Sequence, residues 1–280
     1  MSLSAPHVDV QLGPVQETLL IPLYGRALES RSSQPLLHDP LAAKIVDRLD
    51  YDFAKWDKAP SLRGACIRTI MYDRLVKTWL TAHPSGTVVE LGCGLNTRFD
   101  RVDNGSVRWF DLDLPDAMAL RREFIEDAPR CEMIAASALD TDWHDQVAAS
   151  PGPYLFISEA VLIYVDEDDV RRAITGLVER FRPATFILDT TNAQMVDTQD
   201  KHDAMKHLTQ ASYFRWKCDD PAVITEWARG MALTESQTFA DAGDEVIATL
   251  PFAMRTMIRL FPNMMRKRVD GYRINVLTAR

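Results

Sequence analysis

Cysteine is scarce: the 280 residues hold four, at positions 66, 93, 131 and 218, and no two form a Cys-x-x-Cys pair. Neither a disulfide framework nor a metal site is expected, and the thiols read as reduced. No apolar run approaches the roughly 20 residues of a membrane helix. The N-terminus "MSLSAPHVDVQLGPVQE" also lacks a basic start ahead of an apolar core. A cytoplasmic protein with no membrane partner is therefore expected. Positive charge is in the minority, with 32 Lys and Arg against 40 Asp and Glu for a net charge of -8. That balance gives no general field for phosphate backbones and argues against nucleic acid as the partner. Internal repeats and low-complexity segments are absent. A small molecule or a protein is left as the partner, and nothing in the sequence sets an oligomeric state.

What is present is a globular composition. Hydrophobic residues make up 46% and charged residues 26%, near the averages of about 45–50% and about 25%, and the length suits one large domain. From Leu36 to Leu80 apolar residues recur at helical spacing, most clearly in "LLHDPLAAKIVDRL" and "RTIMYDRLVKTWL". After Pro84-Ser85-Gly86 the pattern changes to short apolar runs: "TVVELG", "VRWFDLD", "CEMIAAS", "YLFISEA" and "TFILDTT". Strands alternating with helices predict an α/β fold, a doubly wound and mostly parallel sheet. "MALTESQTFA" and "YRINVLTA" add two last strands, the final one antiparallel at or near an edge, with a helix through "FAMRTMIRLF" between them. The division expected is a helical region to residue 84, a core over 85–191, a helix-prone lid-like insertion over 192–230 and a C-terminal part over 231–280. The acidic run at 166–169 suits a helix N-terminus, and Arg266-Lys267-Arg268 suits a solvated surface.

"VVELGCGLNTR", Val88 to Arg98, is a buried strand entering a glycine turn. Gly92 and Gly94 fit a turn of the nucleotide-binding kind, but Thr97 stands where the dinucleotide fingerprint has its third glycine. Asp113 follows at the remove of about 20 residues where a second-strand carboxylate takes ribose hydroxyls. Glu90, just ahead of the glycines, repels phosphate and suits an ammonium group. Together they describe S-adenosylmethionine, an adenosine that carries an amino acid. The competing reading is a glycine turn that only packs strand against helix.

"VVELGCGLNTRFDRV", "WFDLDLPDAMALRR" and "ISEAVLIYV", with "ETLLIPLYGRALESR", "LLHDPLAAKIV" and "RGACIRTIMYDRLVKTWL" upstream, resemble the leucine carboxyl methyltransferase-like family, and especially its bacterial polyketide-tailoring branch. The likeness covers most of residues 17 to 190. It implies a class I methyltransferase fold with a seven-stranded sheet and a helical cap, using S-adenosylmethionine, commonly on carboxylates. Carried over by motif, Arg68 pairs with the methionine carboxylate. Gly92 and Gly94 let the backbone approach the methionine part, while Asn96, Thr97 and Arg98 shape the turn. Asp113 takes the ribose. Relatives often have an acid before leucine at the adenine, where this chain has Ala138-Leu139, so that role passes to Ser137, the Leu139 backbone or Asp140. Glu159 matches the family's acid after the fourth strand, facing the cofactor's amino end or the reaction pocket. Tyr164 is a pocket aromatic able to face a sulfonium. Two departures bear on the pocket: Asn or Asp is common where Glu90 stands, and glycine where Ala160 follows Glu159, which implies a narrower space beside the methyl group.

The resulting expectation is O-methyl transfer to a small-molecule, carboxylate acceptor in polyketide-like metabolism. A carboxylate needs orientation rather than a base, and Tyr24, Arg26, Asn192, Tyr213 and Arg215 are the candidates for that. A hydroxyl acceptor needs a base. None of the six histidines lies in a pocket motif, and His38 and His144 read as core or surface residues. Two rival readings are cyclisation of the cofactor by its own amine, with Glu159 and Tyr164 holding that amine, and a non-catalytic nucleotide-binding or interaction module.

Overall fold

The computed structural model describes residues 7–210, 212–249, 252, 255–256, 260 and 269–280. Seven strands form one sheet: β1 Thr87–Leu91, β2 Arg108–Asp113, β3 Cys131–Ala135, β4 Tyr154–Ser158, β5 Ala184–Thr191, β6 Met231–Gln237 and β7 Tyr272–Ala279. Their spatial order is β3-β2-β1-β4-β5-β7-β6. The first five pair in parallel, as the five apolar runs predict, and β7 lies antiparallel between β5 and β6. Every residue of β1 is buried, which explains why the central strand reads as a continuous apolar run rather than an alternation. The strand order reverses between β1 and β4, so a crevice opens beyond their carboxyl ends.

Three helices precede the sheet: α1 Leu20–Ser30, α2 Pro40–Arg48 and α3 Ser61–Ala82. Asp39 caps α2 by accepting from the Ala42 amide (2.9 Å), with Pro40 in the first turn. The apolar periodicity read from Leu36 onward leaves α1 unremarked, yet Leu20, Leu23 and Ala27 in it are wholly buried. Pro22 is tolerated because it falls in that helix's first turn. Crossovers carry α4 Arg98–Val102, α5 Pro115–Arg122, α6 His144–Ala148 and α7 Glu167–Arg180, whose first turn holds Glu167, Asp168 and Asp169. α8 Ala193–Asp197 and α9 Asp244–Ala248 complete the labelled helices. Two cores lie on opposite sheet faces. Val88, Leu155, Ile157 and Ile187 pack with α1–α3, whereas Val89, Phe110, Phe156 and Phe186 pack with α6, α7, Trp216 and Trp227.

Residues 192–230 differ from the helix-prone expectation. Their described residues hold one five-residue α-helix and three 3-10 turns, at Gln199–Lys201, Met205–His207 and Pro221–Glu226. Val196, Met205, Phe214 and Trp216 are buried as separate anchors, and no helical stripe joins them. The helix expected over 252–261 falls largely, and Arg266-Lys267-Arg268 wholly, outside the described residues. Among the described residues no helix is long and apolar enough to cross a membrane.

Candidate active site

A cavity of about 520 Å³ opens where the strand order reverses, lined by Glu90, Gly92, Gly94, Asp113 and Glu159 at the strand ends. Its floor is the glycine turn after β1. Gly92 (φ 68°) and Gly94 (φ 49°) occupy the left-handed region, which glycine enters without a Cβ clash. Steric closure adds to this at Gly92, where a Cβ would lie 2.3 Å from Val161 Cγ2. Asp113 fixes the turn's far side by accepting from the amides of Gly94 (2.6 Å) and Leu114 (2.7 Å). Arginines hold its carbonyls: Arg121 donates to Gly94 O (2.9 Å) and Asn96 O (2.6 Å), and Arg26 to Leu95 O (2.7 Å). The backbone around the turn is thus preorganised before any ligand arrives.

Beneath the turn lies a buried charge network. Arg98, with no exposed surface, donates from Nε to Asp73 Oδ1 (2.9 Å) and from its two Nη groups to Glu90 and Glu159. Glu159 also accepts from Arg68 Nε (2.8 Å) and Thr69 Oγ1 (3.0 Å). Burial opposes its ionisation, but Arg98 and Arg68 outweigh burial and hold its carboxyl at about 2. Glu159 is therefore a fixed anion. Glu90 differs: burial pushes it up to about 7 against the pull of Arg98. Its Oε1 accepts from Asn96 Nδ2 (2.8 Å), while its buried Oε2 has no partner among the described residues. An unsatisfied carboxylate oxygen of this kind calls for a donor from outside the chain, and an ammonium supplies one. Arg68 uses Nε on Glu159, and its Nη groups meet no hydrogen-bond acceptor among the described residues. A cationic edge and an orphaned anionic oxygen on one cavity wall fit the two ends of an amino acid.

Of the residues expected at the cofactor, Arg68, Glu90, Gly92, Gly94, Asn96, Asp113, Ser137, Leu139 and Glu159 line the cavity, and so does Tyr164. Thr97 and Arg98 do not: Thr97 Oγ1 donates to Asp39 (2.7 Å) and Arg98 is spent on three carboxylates below the floor. Asp140 is exposed and outside the lining. The expected acceptor-orienting set is not brought together. Tyr24 donates to Asp57, Asn192 caps α8 by accepting from Met195 N (2.8 Å), and Arg215 pairs with Asp166 at the surface. Tyr213 is 54% exposed. Arg26 does reach the lining, but its Nε is held by Asp39 (2.9 Å) and it serves the glycine turn.

Several lining or supporting residues carry no sequence signal of their own. Asp189 on β5 accepts from the Ala160 amide (2.6 Å) and the Tyr272 hydroxyl, and burial pushes its carboxyl up to about 6. Tyr272 itself lines the cavity, as does His202. His38 and His144 do not, and His144 packs between Trp143 and Phe181. Arg121 lies inside the quoted "LPDAMALRR", where its arginine beside an acidic strand was a signal available to be read.

A strand order that reverses between β1 and β4, with β7 antiparallel and a glycine turn answered by an acid on β2, is the class I methyltransferase arrangement. A DUF574 family protein from Streptomyces avermitilis shares the fold, with a TM-score of 0.55 at 14% identity over 92% of this chain and 97% of that one. The leucine carboxyl methyltransferase family model matches residues 20–178, more than half of the chain, and the chain belongs to that family. It is an S-adenosylmethionine-dependent methyltransferase. A relative in Streptomyces glaucescens, the tetracenomycin polyketide synthesis O-methyltransferase TcmP, is 28% identical over 235 residues, 83% of this chain and 86% of that one. The S-adenosyl-L-methionine-dependent methyltransferase dpfgK of Gibberella zeae is 30% identical over 190 residues, 62% of this chain and 63% of that one.

Proposed function

We propose that the protein transfers the methyl group of S-adenosylmethionine to a carboxylate oxygen of a largely apolar, polyketide-like small molecule. The observation that carries this reading is the cavity's second half. Beyond the residues assigned to the cofactor it continues along Ile21, Pro22, Met195, Met205, Phe214 and Phe239, a wall suited to an apolar ring system. The name of the Streptomyces glaucescens relative adds the polyketide class and the oxygen acceptor.

In this reading Asp113 receives the ribose hydroxyls with the lone pairs its two amide bonds leave free. Glu90 Oε2 receives the ammonium, Arg68 the methionine carboxylate, and the adenine lies by Ser137 and Leu139. When bound, the cofactor supplies a sulfonium-activated methyl. The chain must place the acceptor oxygen in line with the carbon–sulfur bond and keep water out. The oxygen gains the methyl, sulfur keeps the electron pair, and no proton moves when the acceptor is an anion. Tyr164, pushed up to about 12 by burial, stays protonated; it lines the cavity packed edge-on to Phe214 at 5.1 Å, which supports a ring facing the sulfonium. The helices before residue 84 and the segment 192–230 enclose the acceptor. Product analysis tests this: with S-adenosylmethionine and a panel of aromatic and polyketide-like acids, a methyl ester and S-adenosylhomocysteine should form in equal amounts. Methylthioadenosine formed without any acceptor would instead mark cyclisation of the cofactor, and cofactor binding without turnover across the panel would mark a binding module.

A further inference from the structure

We infer that His202 and Ser61 select and hold the acceptor, with the His202 Nε2–H and the Ser61 hydroxyl donating to the carboxylate that is methylated. The inference rests on the carboxylate reading above and adds to it the residues that recognise the anion. Both side chains line the cavity, as do Met195 and Met205 of the same segment as His202.

The imidazole's hydrogen-bond state follows from its neighbours. His202 Nδ1 accepts from the backbone amides of Ala204 and Met205, at 3.3 Å each. Asp203 Oδ1 lies 3.6 Å from the same nitrogen, too far for a hydrogen bond. An Nδ1 that accepts from two amides carries no proton, so the neutral ring carries its hydrogen on Nε2. Burial, reinforced by the nearby Arg68 charge, lowers the ring's pKa against the pull of Asp203, and the ring is neutral at neutral pH. His202 thus offers a donor and lacks the free Nε2 lone pair that a general base needs. The one histidine in the cavity wall is set for binding an anion rather than for deprotonating a hydroxyl.

The loop that carries it is pinned immediately after His202, at two successive residues. Asp203 Oδ2 accepts from Ser61 N (3.0 Å) at the start of α3, and Ala204 O accepts from Trp56 Nε1 (3.1 Å). The first contact ties the start of α3, at Ser61, to the residue that follows His202. Ser61 Oγ is buried with no hydrogen-bond partner among the described residues, and a buried hydroxyl left free in a cavity wall is poised for a ligand. Ser61, Ala65 and Arg68 line the cavity from one face of α3, as spacings of four and seven residues require. The helix therefore presents Arg68 to the cofactor and, two turns or about 10 Å away, Ser61 to the acceptor.

The test uses the full chain loaded with S-adenosylhomocysteine. Imidazole nitrogen NMR on histidine-labelled protein at neutral pH should show His202 with its hydrogen on Nε2. An Nδ1–H form or an imidazolium would overturn the assignment whatever the acceptor. Binding is then read for a panel of planar aromatic acids from 1-naphthoate upward, each beside its amide and its hydroxyl analogue. The best acid should outbind its amide in the unaltered protein. His202→Ala should weaken that acid about tenfold or more, while His202→Gln, which keeps a donor without a base, should stay within about threefold. Ser61→Ala, which strands no partner, should weaken the acid by several-fold and leave S-adenosylhomocysteine binding unchanged. Acids that bind equally in all variants, and with S-adenosylmethionine in place of S-adenosylhomocysteine turn over equally in them, would overturn the roles of His202 and Ser61 and leave carboxylate methylation standing. No acid outbinding its amide, with a hydroxyl analogue methylated at a rate that His202→Gln abolishes, would overturn both and make His202 a base.

Discussion

Ala160 has φ 54°, and among the described residues it alone is a non-glycine in the left-handed region. Its amide is held there by Asp189 Oδ2 (2.6 Å), so the conformation is imposed by a buried acid directly behind Glu159. Glycine at this position would meet the same backbone demand without strain. Ala160→Gly should therefore stabilise the protein by about 1 kcal/mol, read from denaturant midpoints at constant slope; a loss of stability would mean that the Ala160 methyl is a packing contact first. Glu90 supports a second expectation. Its folded pKa is raised from 4.5 to about 7, so the unfolded chain gives up this proton first. The resulting penalty is absent below pH 4.5 and grows as pH rises toward 7. An ammonium on Oε2 would reverse the shift. Calorimetry of S-adenosylhomocysteine binding between those pH values, in buffers of different ionisation heat, should show net proton release that disappears in Glu90→Gln. Binding with no proton release would break the pairing of Glu90 with the amino group.

Elements meet at Arg98, which begins α4 and ties α3 through Asp73, β1 through Glu90 and the end of β4 through Glu159. Removing a partner from a buried network leaves uncompensated charges, and Arg98→Met should cost about 3–5 kcal/mol by chemical denaturation. A cost below about 1 kcal/mol would mean that water reaches the three carboxylates. The five parallel strands were legible because each is a short, mostly buried run bounded by turn residues, α2 because Pro40 in its first turn is a local signal, and the start of α7 because its acidic first turn is another. Arg98 was legible only as a turn residue, since its partners lie 8, 25 and 61 positions away. The helical elements of the segment 192–230 are short because its polar, helix-prone residues are held by scattered anchors such as Trp216 and Phe214 rather than by a continuous apolar stripe.

At the scale of the molecule, the cavity draws residues from Val15 to Tyr272. In the proposed reading the cofactor meets contiguous motifs after β1, β2 and β4, and Glu90, Gly92, Gly94, Asp113 and Glu159 of those motifs line the cavity where the sequence pattern expects them. The acceptor would meet single residues on α1, α3 and the 192–230 segment, and charged candidates such as Arg26 and Arg215 stand out by type while folding into other partnerships. His202 had no motif to mark it. Carboxylate methylation makes one demand on the whole assembly: with cofactor and acceptor saturating, no proton must be gained or lost in the chemical step. The most direct measurement is the single-turnover rate of the best acceptor from mildly acidic to mildly basic pH. A flat profile, unchanged in His202→Gln, is the expected result, whereas a rate that climbs with pH and collapses in that variant would contradict carboxylate methylation and place a general base at the acceptor oxygen.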